Sequence, residues 1–299
     1  MNEKKTKTSH NGLSDVSRAH AMSLSTTGWT KIIRPRKTLS WNDLQELWDY
    51  RELLYFFAWR DIKVKYKQTI VGIVWAVFQP IMAMVVFSVV FGKLANLPSD
   101  GIPYPIFVYS GLILWMFFTN SLSDASSTLV GNASIVTKVY FPRLLLPISA
   151  STTKLVDTFI ASLVLIVLML YYGYYPSLVG VAIVPLLFLI AFMASQGAGL
   201  ILCSINVKYR DVRYVLPYFI QMLIFVTPVI YPTSIAGKYE WILKLNPMAS
   251  VIESARAGLL GTAPIEWSSL LFSGLISLVL FVIGIIFFKK TERFFADVI

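Results

Sequence analysis

Cysteine, histidine and acid are scarce in this chain, and each scarcity removes a class of chemistry. The single cysteine, Cys203, lies in an apolar run, so there is no disulfide framework and no thiolate metal set. Two histidines, His10 and His20, both fall in a polar N-terminal stretch, which leaves no imidazole among the apolar segments. No Gly-rich phosphate loop leads into Lys and Ser/Thr, and no Gly-x-Ser-x-Gly elbow occurs. Nucleotide binding and acyl transfer therefore lack their residues. Acidic residues number 16 against 26 Lys and Arg, and none lies deep in an apolar run, where an ion-coupled carrier would need one. The nearest acids, Asp124 and Asp157, stand at the ends of such runs. Asp157 follows Lys154 by three residues, so a local helix pair is expected. No catalytic residue, metal site or cofactor is expected in this chain.

What the sequence has in abundance is apolar length. Uncharged runs cover Ile70–Gly92, Pro105–Ser123, Thr158–Ile205, Tyr214–Gly237 and Ser268–Phe288. A helix needs roughly 20 apolar residues to cross about 30 Å of hydrocarbon. The third run holds two such lengths, parted by Tyr171-Tyr172-Gly173-Tyr174-Tyr175-Pro176, an aromatic belt with turn formers. The expected fold is an all-α polytopic membrane protein of six transmembrane helices. Of the 26 basic residues, 22 lie before the first span, between spans two and three, between spans four and five, or after the last span. Only Lys93, Lys238, Lys244 and Arg256 lie on the other side. The positive-inside rule then puts both termini in the cytoplasm. The net charge of +10 is a topology signal, because the basic residues sit in short flanks and not on one face suited to nucleic acid.

Three parts of the chain are expected. Residues 1–40 are polar and read as a disordered cytoplasmic tail; they begin without an apolar stretch, so no cleaved leader is expected. Residues 41–69 read as an amphipathic helix. Leu44, Leu47, Tyr50, Leu54, Phe57 and Ala58 fall on one face, and Gln45, Asp49, Glu52, Arg60, Lys63 and Lys67 on the other. Packing on a partner would satisfy the pattern, but the Arg60/Lys63/Lys65/Lys67 cluster beside the first span favours the membrane surface. Residues 70–299 hold the six spans. Two connections are unusual. Gly131–Pro147 mixes Lys138 and Arg143 with Val139, Tyr140, Phe141 and Leu144–Leu146, more apolar surface than a solvated linker needs. Between spans five and six, Tyr239–Leu245, the stop Asn246-Pro247-Met248 and Ala249–Leu260 read as a re-entrant helical hairpin, with Glu253 and Arg256 spaced as a same-face pair. An external surface hairpin is the alternative.

Aromatics make up 14 % of the chain. Tyr214, Tyr218, Gln221, Phe225 and Pro228 form one helical stripe, joined by Trp75 and Phe78 in span one and by Trp115, Phe117 and Phe118 in span two. Ring faces, hydroxyls and an amide together suit sugars held loosely, whereas each ring alone fits ordinary packing. Tyr and Gln would be costly facing lipid, which favours a path for the stripe of span five.

The stretch Tyr55–Thr69 running into Val71–Pro80 resembles the entrance to span one in permeases of polysaccharide-exporting ABC transporters of the type-2 class. Asn206–Val212, Thr227-Pro228-Val229-Ile230-Tyr231 and Asn246-Pro247-Met248 agree in order and spacing, so the resemblance covers Leu44 to the C-terminus. It implies a homodimer of six-span subunits in the inner membrane, with two ATP-binding subunits beneath it that hold ATP and Mg. The substrate implied is an undecaprenyl-linked glycan such as O antigen, capsule or teichoic acid, moving between spans one and five of the two copies. Tyr214, Tyr218, Gln221, Phe225, Trp75 and Phe78 would line the path, and Arg60, Lys63, Lys65 and Lys67 would meet the substrate's anionic head. Lys138, Tyr140, Phe141 and Arg143 would dock the ATPase, and Glu253 and Arg256 would sit at the outer gate. A type-2 permease for a small lipid or drug, or a channel or scaffold without an ATPase, would share the topology.

Overall fold

The computed structural model describes residues 41–67, 70–209, 211–261, 263–292 and 295, all within one compact unit, and every regular element among them is helical. Helices α1 (Trp41–Asp49) and α2 (Arg51–Lys67) precede α3 (Ile70–Phe87), which continues as a π-helical stretch, Ser88–Leu94. There follow α4 (Tyr104–Gly131), the short α5 (Ala133–Lys138), α6 (Leu145–Tyr172), α7 (Leu178–Lys208) and α8 (Val212–Val226). A 3-10 turn at Thr233–Tyr239 leads into α9 (Glu240–Lys244), α10 (Pro247–Leu260) and α11 (Trp267–Thr291). Five helical stretches are long and apolar enough to cross a membrane: Val74–Leu94 and helices α4, α6, α7 and α11.

Local chemistry sets the ends. Pro105 sits in the first turn of α4, where its missing N–H costs nothing. Gly173 takes a left-handed conformation that ends α6, and Ser177 then caps α7 by accepting from the Gly180 N–H at 2.9 Å. The expected belt at 171–176 is therefore a turn between two long helices. Asn246 caps α10 through Met248 N–H, with Pro247 at the first helical position.

Helix α4 is the centre of the bundle. Nineteen of its 28 residues are buried, and it packs on α3, α6, α7, α8 and α10. Helix α7 joins α11 to this centre through backbone contact, because Gly197 and Gly284 face each other: a Cβ on Gly284 would stand 2.4 Å from the Gly197 carbonyl oxygen. Small residues let membrane helices approach this closely, and dispersion then stabilises the pair. One apolar cluster fills the middle of the bundle and the half nearer α10. A second, holding Phe57, Val136, Phe141, Leu144–Leu146, Cys203, Phe288 and Phe295, ties α2, α5, α6, α7 and α11 together at the basic end.

Four expectations need revision. The run Tyr214–Gly237 makes a helix of 15 residues, α8, about 22 Å and short of a full span, because Pro228 forces Thr227 into extended backbone (φ −96°, ψ 135°). The 41–69 helix is broken at Tyr50, and Phe57 and Ala58 pack inside the chain, with Leu47, Tyr50 and Leu54 against the same cluster. The face assigned to the bilayer is thus largely covered by the protein itself, while Trp48, Tyr55, Phe56 and Trp59 stay exposed. Trp115, Phe117 and Phe118 are core residues of α4, with Phe117 edge-on to Phe188 at 5.3 Å, and belong to no path. Finally, Lys154 pairs across helices with Asp124 at 2.6 Å, while Asp157 accepts from Lys65 and Tyr66. The tail, residues 1–40, lies outside the described residues.

Candidate functional site

Two helices carry most of their apolar surface outward. The α3 stretch exposes Val74, Trp75, Phe78, Met82, Val85 and Val86, and only 11 % of its span is buried. On α8 only Leu216 is buried, with Ile220, Leu223 and Ile224 half-covered against the core. Tyr214, Tyr218, Gln221 and Phe225 lie on the opposite side and are exposed. Trp75 and Phe78 are exposed as well, their rings 5.9 Å apart. All six residues assigned to a path therefore sit on uncovered surface.

The basic flank is more divided than its sequence suggests. Arg60 donates to Asp61 and, at 3.3 Å, to Asn132, and its guanidinium lies over Phe57. Lys65 bonds Asp157, Lys63 lies 5.4 Å from the Trp59 ring, and Lys67 is exposed. Burial pushes the Tyr66 phenol above its usual range, helped by its hydrogen bond to Asp157 and by that carboxylate's charge. Two of the four cations thus already hold carboxylates, and α2 is pinned to α6 by Asp157.

At the same end, α5 and the following turn present Lys138, Val139 and Tyr140 outward. Phe141 turns inward, 4 % exposed and 5.5 Å from the Phe57 ring. Arg143 donates to the Glu292 carbonyl at 2.6 Å and lies over Phe295. Phe141 and Arg143 therefore join this connection to α2 and to the end of α11, and the outward surface left for a partner is Lys138–Tyr140.

The opposite end is organised by Arg256. Its guanidinium donates to the carbonyls of Phe107 (3.2 Å), Pro228 (2.9 Å) and Val229 (2.7 Å) and stands 3.6 Å from the Phe107 ring centroid. The physical need is plain: Pro228 ends α8, so the carbonyls beyond it lose helical partners, and a buried carbonyl without a donor is costly. Tyr104 donates to the next carbonyl, that of Ile230, at 2.7 Å. The expected Glu253–Arg256 pair gives way to this arrangement, and Glu253 instead accepts from the Thr233 N–H at 3.2 Å. Asn246 also donates to the Thr227 hydroxyl at 2.8 Å, so the Thr227-Pro228 and Asn246-Pro247 motifs meet in space. The sequence signal was there: both are polar–Pro breaks beside one arginine in an apolar stretch. Ten of the 14 residues of α10 are buried, on α4, α7 and α11. Nearer solvent, Lys244 bridges Glu240 and Glu266; its ammonium holds the Glu266 carboxyl below the usual range, and the Glu266 bond raises Lys244.

Five long apolar helical stretches among the described residues, one of them the largely buried central helix α4, define a multi-pass membrane protein. The chain belongs to the ABC-2 type transporter family, which it matches over residues 52–260, and it is a transport subunit. It is 29 % identical over 251 residues to the O-antigen export system permease protein RfbA of Klebsiella pneumoniae, covering 83 % of this chain and 95 % of that one. The protein of the same name from Myxococcus xanthus is 30 % identical over 219 residues, 72 % of this chain and 82 % of the relative. The polysialic acid transport protein KpsM of Escherichia coli is 26 % identical over 239 residues, covering 78 % and 91 %.

Proposed function

We propose that this chain is the membrane subunit of an ATP-driven exporter that carries an undecaprenyl-linked polysaccharide, of O-antigen or capsule type, out of the cytoplasm across the inner membrane. The observation that carries this reading is the uncovered surface of α3 and α8 on an otherwise packed bundle. Exposed Tyr, Trp, Phe and Gln side chains offer many weak contacts to a polar polymer, and no single tight one that would stall it. The names of the relatives, which export O antigen and polysialic acid, supply the substrate class.

In this reading two copies face each other across α3 and α8, and the path runs between them. Helix α8 and the break after it make the fifth of six crossings, α9 and α10 form the re-entrant hairpin of the outer gate, and both termini are cytoplasmic. The exposed aromatic side of α1 and α2, Trp48, Tyr55, Phe56 and Trp59, lies in the bilayer interface, as amphipathic surface helices do. Lys63 and Lys67, with Arg60 and Lys65 beside them, meet the anionic head of the substrate. Lys138–Tyr140 touch one of two ATP-binding subunits, which hold ATP and Mg. Glu253 and Arg256 hold the outer gate.

The test is export in a strain lacking the native permease. Restored surface polysaccharide with this chain plus its ATP-binding partner, and none with either alone, is the expected result. Export of a small lipid or drug with no change in surface polysaccharide would overturn the reading.

A further inference from the structure

A cleft of about 140 Å³ opens between the end of α2 and helices α3, α4 and α6, lined among others by Lys65, Trp75, Gln79, Asn120, Lys154 and Asp157. Gln79 stands about 14 Å along α3 from Ile70, within one leaflet's depth of that helix's basic end. An amide there is out of place unless something answers it, since unpaired polar groups at membrane depth are costly. Gln79 and Asn120 make no side-chain hydrogen bond among the described residues, and both face this opening.

The charges of the cleft narrow the ligand. Lys65 holds Asp157 and Lys154 holds Asp124 at 2.6 Å, so each ammonium is already matched by a carboxylate. A free anion would find as much repulsion as attraction. A wholly apolar ligand would strand two amides and two ion pairs. What remains is a neutral ligand rich in hydroxyls with one apolar face. Such a ligand can take donors from Gln79, Asn120 and Lys154, give donors to Asp157 and the amide oxygens, and lay its C–H face on a ring. Trp75, 57 % exposed, supplies that ring.

We propose that this cleft is a binding subsite for one pyranose unit. The proposal rests on the reading of the chain as a polysaccharide exporter. Trp75 belongs to both the cleft and the proposed path, so a sugar seated here is a unit of the moving chain held at the basic end of α3. Gln79 and Asn120 fix its orientation, and the two ion pairs keep the wall neutral, so that release needs no charge separation.

The test uses the full chain with its ATP-binding partner. Gln79→Cys and Asn120→Cys variants are labelled with a water-soluble maleimide; the native Cys203 is buried and its thiol stays silent. Labelling rates are compared with a panel of methyl pyranosides, with mannitol as an acyclic polyol, and with inorganic phosphate. A pyranoside present at about four times its Kd should slow labelling about fivefold at both positions, and not at Tyr175→Cys in the exposed turn between α6 and α7. The unmodified chain should show a pyranoside-dependent change in tryptophan fluorescence that Trp75→Phe abolishes, which keeps the test alive if the Cys variants fail to assemble. Protection by phosphate alone, equal protection by mannitol, or no pyranoside effect in either measurement overturns the subsite. Export in the complementation assay is scored separately, so loss of the subsite and loss of the exporter reading give different results.

Discussion

Arg256 occupies the space that a side chain on Gly111 would need: a Cβ built there would lie 2.8 Å from Arg256 Nη2 and 3.2 Å from Ile252 Cγ2. The absence of one carbon on α4 lets the guanidinium from α10 reach the carbonyls behind Pro228. Three stretches far apart in sequence are thereby fixed at one point. Gly111→Val should displace the guanidinium, and Arg256→Ala should leave three buried carbonyls without it, at about 3 kcal/mol or more. Because both substitutions remove one set of bonds, the double variant should be little worse than Arg256→Ala alone. Thermal unfolding of the purified protein reads this directly; additive losses would show that Gly111 acts on something else.

A second prediction concerns glycine pairs. A Cβ on Gly180 would stand 1.8 Å from the Gly258 carbonyl oxygen, a backbone atom that cannot rotate away. Gly180→Ala should therefore part α7 from α10 and sharply lower the amount of folded protein in membranes. Gly131→Ala meets nothing within 4 Å and should be neutral or stabilise by up to about 1 kcal/mol. Equal accumulation of both variants would mean that the α7–α10 contact is not needed for assembly.

Asp157 anchors α2 to α6 through Lys65 and Tyr66 together. Asp157→Ala removes the acceptor that both share and should cost more than Tyr66→Phe, about 2 kcal/mol against about 1. Lys65→Met added to Asp157→Ala should cost less than the two single losses together, since both substitutions remove the same ion pair. Unfolding midpoints of the four variants decide the order.

Spans, the turn at 171–176 and the Asn246-Pro247 stop were legible in the sequence, because apolar length and turn chemistry act locally. Partners were not. Lys154 and Asp157 are three apart on α6, yet Asp124 on α4 and Lys65 on α2 lie closer in the fold and take them. The hydrogen bonds of Arg256 go to carbonyls for a related reason: those beyond Pro228 have no helical donor, while Glu253 accepts from the Thr233 N–H. The apolar face of Leu47, Tyr50, Leu54, Phe57 and Ala58 is expected at the membrane surface and is covered by protein, because periodicity marks a face to be covered but not what covers it. Gln79 and Asn120 went unnoticed, though a lone amide in an apolar run is a signal.

At the opposite end from the basic flank, acid should release the Lys244 bridge. The Glu266 carboxyl is held below its usual range by Lys244, so this tie stabilises above the ordinary carboxylate pKa of about 4.3 and is lost as pH falls through the lowered folded value. Lys244 is raised, so its part persists through neutral pH and is lost only above its elevated value. Proteolysis of the 263–266 segment in sealed vesicles should rise on acidification, and Glu266→Gln should raise it already at neutral pH. A Glu266→Gln variant with unchanged cleavage would discount the bridge.

The last prediction separates two stripes of α8. Leu216, Ile220 and Leu223 face the core, while Tyr214, Tyr218, Gln221 and Phe225 lie opposite. Beside them Val215, Phe219, Met222 and Val226 form a second exposed stripe with no polar atom on its side chains, apart from the thioether. If the first stripe lines a wet path, Cys at 214, 218, 221 and 225 should react with a charged thiol reagent in the active complex. Cys at 215, 219, 222 and 226 should react far more slowly, because thiolate formation needs water. Tyr218→Ala or Phe225→Ala should shorten the exported chains by removing ring contacts, each worth about 1 kcal/mol at most, without lowering the amount of protein in the membrane. Reaction confined to the second stripe would turn α8 by a third of a turn and move the path away from the tyrosines.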